Sequence, residues 1–372
     1  MADTAKEFKR LQEILSVLIE YGFEEFVDKA ITRKWVPHPR KWKGDYDKAV
    51  QASRRTGPLS TAVKFKNVLE QLGGIFAKFG QVLSTRVDIM PPDFIDALSS
   101  LRSHMPPCEY HAIREVVISE FGEPPESLFE EFSPEPVAAA SLAQVHKARL
   151  VTGEEVAVKI QRPGINESVA MDLKWIQRLG ELVVKLFPVF QPFRINDTIK
   201  EFEEWSLREL NFFLEGRNIE CFHENLGRLH FVLLPKVHWR YTSQKVLTMD
   251  FMEGIPVDQI ERLQAEGYDL HKLAADVYYS LLKQTLIDGF FHGDLHQGNM
   301  FISKEGKLMF LDFGLVGEMQ MEFRKAYFEY WTHLAMGDFE LAVTALLRGA
   351  DTSACTDIEG YKREYMEFCK KV

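Results

Sequence analysis

The sequence predicts an α+β protein in which helices come first, a small strand-rich segment follows, and a second helical region ends the chain. Three observations support this order. Apolar residues recur at helical spacing before Gly122, alternating β-branched residues flank a turn at Gly153, and helical spacing returns after Leu270. We therefore expect an N-terminal amphipathic helix with a basic linker (1–58), a helical extension (59–122), a small β-rich lobe (123–252) and a helical lobe (253–372).

Composition narrows the class of function. The chain has 372 residues and a net charge of −10, which argues against nucleic-acid binding. Its four cysteines form no CxxC pair, so neither a zinc site nor a disulfide framework is expected. The polar start resembles no signal peptide, and no run approaches the ~18 apolar residues of a membrane span. The last residues, YKREYMEFCKKV, form an amphipathic pattern without a stop signal, so we expect the helical lobe to be truncated at its C-terminus.

A basic segment stands out in this acidic chain. Arg33–Arg55 holds eight Lys or Arg residues against two Asp, with Trp35 and Trp42 interleaved. Basic residues with tryptophan suit an anionic membrane surface. A solvated linker is the alternative interpretation.

The strand-rich lobe begins with a predicted hairpin. SLAQVHKARL and VAVKIQRPG flank the turn VTGEE, and Lys159 lies on the second strand among apolar neighbours. Helical stretches over 165–188 and 195–222 follow, and the second is expected to carry Glu209 and Glu215 on one helix. HFVLLPKVHW and KVLTMDFM are predicted as two further strands.

The motifs that carry chemistry lie after residue 290. Asp294 and Asn299 are five apart in HGDLHQGN, the spacing of the protein-kinase catalytic loop, and Asp312 follows in LDFG. In that arrangement the first Asp orients the attacking group, while Asn299 and Asp312 would bind magnesium. V-A-V-K is close to the kinase strand whose lysine holds ATP phosphates, which assigns Lys159 that role. These spacings together predict a two-lobed protein-kinase-like fold.

Several features depart from ordinary protein kinases. No Gly-rich loop precedes Lys159, because Ala138–Ala140 stand there; Gly293 replaces the usual Arg; and a helix soon follows Gly314, without a long activation segment. His292 and His296 are four apart, which raises a zinc alternative. We expect them to hold the loop instead, because no helix spans them and no third ligand is near.

These departures, with KFGQ at Lys78–Gln81, resemble the UbiB-like (ADCK) family of atypical protein-kinase-like proteins, associated with ubiquinone biosynthesis. The resemblance extends from about Leu11 to Ala350. It implies that KFGQ is the family's KxGQ motif, on an N-terminal helical unit understood to cover the active site. It also makes Ala138–Ala140 an Ala-rich nucleotide loop. Glu209 matches the first residue of the family's ExD motif, whose last position is here Asn211.

The resemblance implies an atypical kinase or ATPase that binds Mg–ATP and supports ubiquinone synthesis. It would hydrolyse ATP or phosphorylate a small lipid-like molecule rather than a protein. The implied catalytic residues are Lys78, Gln81, Lys159, Glu209, Glu215 (paired with Lys159) and Asp294. The implied nucleotide-binding residues are Ala138, Ala139, Ala140, Ser141, Lys159, Met249 and Met252, and the implied magnesium ligands are Asn299 and Asp312.

The expected place of action is a membrane surface. The resemblance implies a peripheral protein, on the cytoplasmic face in bacteria or the matrix side of an inner organelle membrane. Anionic lipids, isoprenoid-phenol precursors and ubiquinone-biosynthesis proteins are the expected partners. Three alternatives stay open: a small-molecule phosphotransferase of the aminoglycoside or choline kinase type, an ordinary protein kinase, and a nucleotide-regulated scaffold for a biosynthetic complex.

Overall fold

The computed structural model describes residues 2–33, 48–50, 59–87, 89–101, 106–187, 194–350, 352 and 357–369. The chain forms two compact units, the first from Met1–Phe212 with Tyr241–Thr248 and the second from Phe213–Arg240 with Met249–Val372. Most of the basic segment predicted to meet a membrane, 34–47 and 51–58, lies outside the described residues.

The described strands, in chain order, are β1 (Glu131–Ala139), β2 (Ala143–Arg149), β3 (Glu155–Gln161), β4 (Val232–Leu233), β5 (Val246–Asp250), β6 (Ile255–Pro256), β7 (Phe290–His292), β8 (Met300–Ile302), β9 (Leu308–Phe310) and β10 (Val316–Glu318). Helices of the first unit include α1 (Ala2–Glu20), α2 (Glu24–Thr32), α3 (Thr61–Leu72), α4 (Gly74–Thr85), α5 (Pro92–Ser99), α6 (Tyr110–Phe121), α7 (Pro125–Leu128), α8 (Ile165–Leu186) and α9 (Ile195–Glu209). α10 spans Phe212–Leu226 and belongs to the second unit from Phe213 onward. Further helices of the second unit are α11 (Ile260–Ala265), α12 (Leu270–Leu282), α13 (Met321–Met336), α14 (Phe339–Gly349) and α15 (Ile358–Cys369).

The sheet of the first unit has the order β1-β2-β3-β5. Its centre is the predicted hairpin, in which β2 and β3 are antiparallel and Val145 lies opposite Lys159. Gly153 takes the turn with φ +97°, a conformation that side chains with a Cβ rarely adopt. β1 was not predicted as a strand, and its end contains Ala138 and Ala139 of the Ala-rich loop.

The helical extension packs around α4, which carries KFGQ. The apolar face of α4 is buried at Ile75, Phe76, Phe79 and Leu83, and Phe79 packs on Phe202 of α9 with ring centroids 5.0 Å apart. Apolar residues recur at helical spacing throughout 59–86, which predicts one continuous helix, but the structure forms two helices there. The break falls at Gly73 and Gly74, whose φ angles of +63° and +50° end α3 and redirect the chain.

Gly80 of KFGQ is required by packing, which leads to a prediction about stability. A Cβ there would lie 2.4 Å from Leu101 Cδ1 and 2.8 Å from Leu69 Cδ1, both buried. Helix propensity alone would favour Ala over Gly by up to ~1 kcal/mol. Overpacking costs ~1–3 kcal/mol and should outweigh it, so Gly80→Ala should lower the free energy of unfolding. Urea unfolding, with Thr85→Ala at the exposed end of α4 as control, tests this; a stabilised Gly80→Ala protein would refute it.

A buried polar chain crosses the β1–β2 pair. The Nδ1 of His146 lies 2.8 Å from the Ser133 carbonyl, and its Nε2 lies 2.8 Å from the Gln144 amide nitrogen. His146 is fully buried. Burial lowers the pKa of His146 from its usual value, although the bond to the Ser133 carbonyl acts in the opposite direction.

That lowered pKa predicts a pH dependence of stability. Below the unfolded pKa of ~6.5, the unfolded chain binds a proton that native His146 does not. The free energy of unfolding should therefore fall as pH drops through this range, by at most ~1.4 kcal/mol per pH unit for one group, and His146 should contribute no slope well above it. We expect His146→Asn to have a shallower slope between pH 6.5 and 5 in urea titrations. If His146→Asn has the same slope as the wild type, His146 is not the source of this pH dependence.

The second unit contains two small sheets, with strand orders β4-β9-β8-β6 and β10-β7. The helical pattern predicted after Leu270 is confirmed in α12 to α15, interrupted by the motif region. HFVLLPKVHW, predicted as a strand, contributes only β4 and a single bridge from Val237 to Met249. Among the described residues, no helix combines the length and apolar character needed to cross a membrane.

The division into four parts stays a prediction beside these two compact units. The extension shares one hydrophobic core with α8 and α9 of the first unit. Phe213–Leu226 belongs to the second unit, where Phe222 packs against Phe290 and Phe313 with centroids 5.1 and 5.2 Å apart. Glu209 and Glu215 do not share one helix, which corrects our expectation.

Tertiary contacts explain the break between those two glutamates. α9 ends at Glu209, and the Phe212 N–H that opens α10 donates to the Gln244 carbonyl at 3.0 Å. The side-chain amide of Gln161 donates to the Leu210 carbonyl. The strand region of the first unit therefore satisfies the backbone groups that a continuous helix would have paired.

Candidate active site

The loop between β7 and β8 presents the predicted catalytic Asp. The Asp294 N–H donates to His292 Nδ1 at 3.1 Å, and the Gly298 N–H donates to His296 Nδ1 at 2.9 Å. Both histidines thus hold the loop, as expected. The Asp294 side chain is 53% exposed, and its Oδ2 lies 3.6 Å from His296 Nε2. A carboxylate on a loop held by these bonds and open to solvent can accept a proton from an incoming hydroxyl or water.

Asn299 and Asp312 lie at the same end of the β8–β9 hairpin. Met300 pairs with Phe310, and beyond them the Leu311 N–H donates to the Asn299 carbonyl at 3.2 Å. The buried Asn299 side chain donates through Nδ2 to the Asp294 carbonyl at 3.0 Å, which leaves its Oδ1 to act as a ligand. One Asp312 oxygen accepts the Gly314 N–H at 2.9 Å.

This donor set fits magnesium in character. Amide and carboxylate oxygens are hard ligands, and Mg²⁺ usually takes one or two protein ligands while phosphate and water oxygens complete its shell. In the part of the chain that is described, no group of three or more His, Cys, Asp or Glu side chains is placed to hold a metal by itself. The assignment of Asn299 and Asp312 as magnesium ligands stays a prediction.

Close packing explains why Gly stands at position 293, where protein kinases usually have Arg. Its N–H donates to the Leu315 carbonyl at 2.9 Å, and an added Cβ would lie 2.9 Å from Leu315 Cγ. β10 follows directly and pairs with β7, and α13 begins at Met321. The chain therefore turns back at once from LDFG, which agrees with the short segment expected from the sequence.

α10 supports the LDFG segment within the second unit, through residues that the sequence analysis missed. Asn218 Nδ2 donates to the Phe313 carbonyl at 2.8 Å, and Phe222 packs against His292 and Phe313. The buried Gln284 accepts the His292 N–H at 3.0 Å. Helical spacing alone marks Asn218 and Phe222 as one face of α10, but no sequence signal shows what that face contacts.

Asn218 allows a test of this support. Asn218→Ala removes the donor to the Phe313 carbonyl, beside Asp312, at a cost of ~1–3 kcal/mol for a carbonyl left unpaired. We expect weaker magnesium-dependent ATP binding, by roughly tenfold. Isothermal titration with ATP, with and without magnesium, measures this, and Asn166→Ala serves as control. If Asn218→Ala weakens ATP binding equally with and without magnesium, Asn218 does not support the magnesium site.

Glu215 is 2% exposed on α10 and therefore requires a partner for its charge. Lys159 lies in the first unit, with its Nζ 5.2 Å from the centroid of the Phe212 ring. The pairing of Glu215 with Lys159 stays a prediction. Ala138 and Ala140 are exposed and Ser141 is half-buried, at the tip of the β1–β2 hairpin.

The KFGQ motif meets the predicted acidic residue inside the first unit. Lys78 Nζ forms an ion pair with Glu209 Oε2, and both side chains are 25% exposed. Gln81 donates through Nε2 to the Leu101 carbonyl at 3.2 Å, so part of its role is to hold the chain after α5. The structure thus brings Lys78 and Glu209 together, while their catalytic role stays a prediction.

The segment that carries Met249 and Met252, which the resemblance implies would meet the adenine of the nucleotide, is anchored within the second unit. Asp250 accepts the Lys236 N–H at 3.0 Å and lies 2.8 Å from His238 Nε2. Met249 is buried and Met252 half-buried on either side of it. Contact of Met249 and Met252 with adenine stays a prediction.

Comparison with known proteins identifies the family. The model of the ABC1 atypical kinase-like domain matches residues 100–346, about two thirds of the chain. The chain belongs to the ABC1 atypical kinase-like family. This confirms the UbiB-like resemblance and the kinase-like α+β fold. KFGQ lies before the matched residues.

Two similar relatives are plant proteins of this ABC1 family. ACTIVITY OF BC1 COMPLEX KINASE 8, chloroplastic, from Arabidopsis thaliana is 33% identical over 97% of this chain and 47% of its own length. ACTIVITY OF BC1 COMPLEX KINASE 3, chloroplastic, is 37% identical over 75% of this chain and 39% of its own. The chain thus spans less than half the length of these curated relatives.

A solved structure also resembles this ABC1 chain. The complex of Rv3197 with erythromycin from Mycobacterium tuberculosis is 28% identical and aligns with a TM-score of 0.52. The alignment covers 81% of this chain and 77% of that one.

Proposed function

We propose that this ABC1-family chain is a magnesium-dependent atypical kinase or ATPase that supports ubiquinone synthesis at a membrane. The observation that carries the proposal is the placement of Asn299 and Asp312 at one end of the β8–β9 hairpin, with Asn299 bonded to the Asp294 loop. Phosphoryl transfer requires metal ligands and a catalytic carboxylate held close together, since its catalysis is mostly positioning and charge stabilisation.

The residue roles follow the chemistry of each group. Asp294 orients the attacking water or hydroxyl, Lys159 binds phosphate, and Asn299 and Asp312 bind magnesium. Mg–ATP supplies the phosphoryl group and part of the charge neutralisation. The short segment after LDFG, from Leu315 to Gln320, offers little surface for a peptide substrate. It favours water or a small lipid-like molecule as acceptor.

The membrane part of the proposal rests on the basic segment Arg33–Arg55 and on the family's association with ubiquinone synthesis. Anionic lipids and isoprenoid-phenol precursors are the proposed partners. Binding through that segment should weaken as salt rises, because exposed charges are screened. Flotation with neutral and anionic liposomes measures this, and salt-insensitive binding to both would exclude an electrostatic role.

ATP turnover by the purified protein tests the proposed activity. Phosphate release is measured with and without anionic liposomes and with an isoprenoid-phenol, and products are analysed for a phosphorylated phenol. Asp294→Asn is the catalytic control. Release of inorganic phosphate alone defines an ATPase, and a phosphorylated small molecule defines a phosphotransferase. ATP binding without turnover under every condition would replace the proposal with a nucleotide-regulated scaffold.

A further inference from the structure

The tip of the β1–β2 hairpin is a tight loop whose backbone can meet phosphate. Strand pairing ends at Ala139 and Gln144, and the Ala140 N–H donates to the Ala143 carbonyl at 2.8 Å. Ser141 and Leu142 form the turn between them. Since alanine offers no polar side chain, the N–H groups of this tip are its means of binding an anion.

Arg162, one residue after β3, binds two carbonyls of the tip. Its Nε donates to the Ala140 carbonyl at 2.8 Å, and its backbone N–H donates to the Leu142 carbonyl at 2.9 Å. The residue is only 8% exposed. It lies three positions after Lys159, so the residue that fixes the tip directly follows the strand that carries the proposed phosphate-binding lysine.

These bonds set the direction of the Ser141 peptide. A C=O and the following N–H point in opposite directions across a trans peptide, and no cis peptide occurs in the described chain. Because the Ala140 carbonyl faces Arg162, the Ser141 N–H faces away from the guanidinium. Within the described residues, that N–H makes no hydrogen bond to protein. The loop therefore presents a donor on the side away from the positive charge.

The same guanidinium also holds the segment that leads into α6. Arg162 Nη1 donates to the Pro106 carbonyl at 2.9 Å and contacts Cys108 Sγ at 3.3 Å. The Cys108 N–H in turn donates to Gln144 Oε1 at 2.8 Å. A planar fork is needed to reach the Ala140 and Pro106 carbonyls together, and the single ammonium of Lys cannot reproduce that geometry.

We propose that Arg162 is a positioning residue for nucleotide binding, which fixes the Ala-rich tip so that the Ser141 N–H meets a phosphate oxygen. The proposal rests on the proposed function, in which this loop binds Mg–ATP. It assigns a role to the Arg of QRPG, which none of the kinase-like motifs includes.

The experiment compares Arg162→Gln and Arg162→Lys with Cys108→Ala. The control removes a neighbour of the guanidinium but leaves the bond to the Ala140 carbonyl intact. Two quantities are measured well below the unfolding temperature: hydrogen exchange of the 140–143 amides without nucleotide, and the Kd for ATP and ADP. We expect faster exchange at the tip and about tenfold weaker ATP binding in both Arg162 variants, and neither effect in Cys108→Ala. Arg162→Lys keeps the charge and the aliphatic stem, so it tests the fork where Arg162→Gln fails to fold.

The outcomes separate this inference from the proposed function. Wild-type protein that binds no ATP would overturn the proposed function and this role with it. ATP binding by the wild type, with unchanged tip exchange or unchanged affinity in both Arg162 variants, would overturn the role of Arg162 alone. A purely structural role would lower the unfolding temperature without changing the Kd, and that result would also count against positioning.

Discussion

Asp312→Asn should remove most of the magnesium-dependent affinity for ATP. The substitution keeps the size of the side chain but replaces a charged oxygen ligand with a neutral amide. Removing a residue that hydrogen-bonds to a metal ligand typically lowers metal affinity roughly 10–100-fold. Removing a direct ligand should lower it at least as much. Thermal-shift titration with ATP, with and without magnesium, measures the effect.

Asp294→Asn is the matched comparison for Asp312→Asn. The loop around Asp294 is held by backbone and histidine contacts that do not involve its own carboxylate oxygens, apart from the 3.6 Å approach of His296. The variant should bind Mg–ATP almost normally but lose roughly 10²–10⁴-fold in turnover, the usual contribution of a general base. If magnesium with ATP raises the unfolding temperature of Asp312→Asn as much as it raises that of the wild type, Asp312 is not a ligand.

The spacing of motifs predicted the kinase-like frame because that frame is built from local segments. The hairpin around Gly153 and the helix over 165–186 follow from alternation and helical periodicity, which each segment carries in itself. The pair Gly73–Gly74 was a break signal that apolar periodicity concealed, since the pattern resumes on the other side. β1 was missed because two prolines and two glutamates interrupt its alternation.

Other features depended on contacts between distant segments. The separation of Glu209 from Glu215 is stabilised by Gln161 and Gln244, neither of which is near them in sequence. The support of LDFG by Asn218 is of the same kind. A single sequence gives the residue types on a helix face but not the carbonyl that a particular amide will meet.

Lys78→Ala should lower ATP turnover by at least about tenfold. In the structure Lys78 neutralises Glu209, and both side chains are three-quarters buried. Removing the ammonium leaves a carboxylate that disfavours the anionic phosphates, if this pair faces the nucleotide as the family resemblance implies. The lost pair should also cost about 1–3 kcal/mol of stability, between the values for exposed and buried ion pairs.

The double variant Lys78→Ala with Glu209→Gln separates charge from packing. Because it removes both partners, it should recover part of the turnover lost in Lys78→Ala. Lys66→Ala is the control, since Lys66 pairs with Glu70 at 2.9 Å within α3, outside the motif. The Lys66 side chain is 21% exposed and its partner Glu70 is 43% exposed. A pair four residues apart on one helix contributes only ~0.3–0.5 kcal/mol, so turnover should stay unchanged. Equal, negligible effects of Lys78→Ala and Lys66→Ala on turnover, with Lys78→Ala less stable, would mean that the KFGQ lysine serves the fold and not the chemistry.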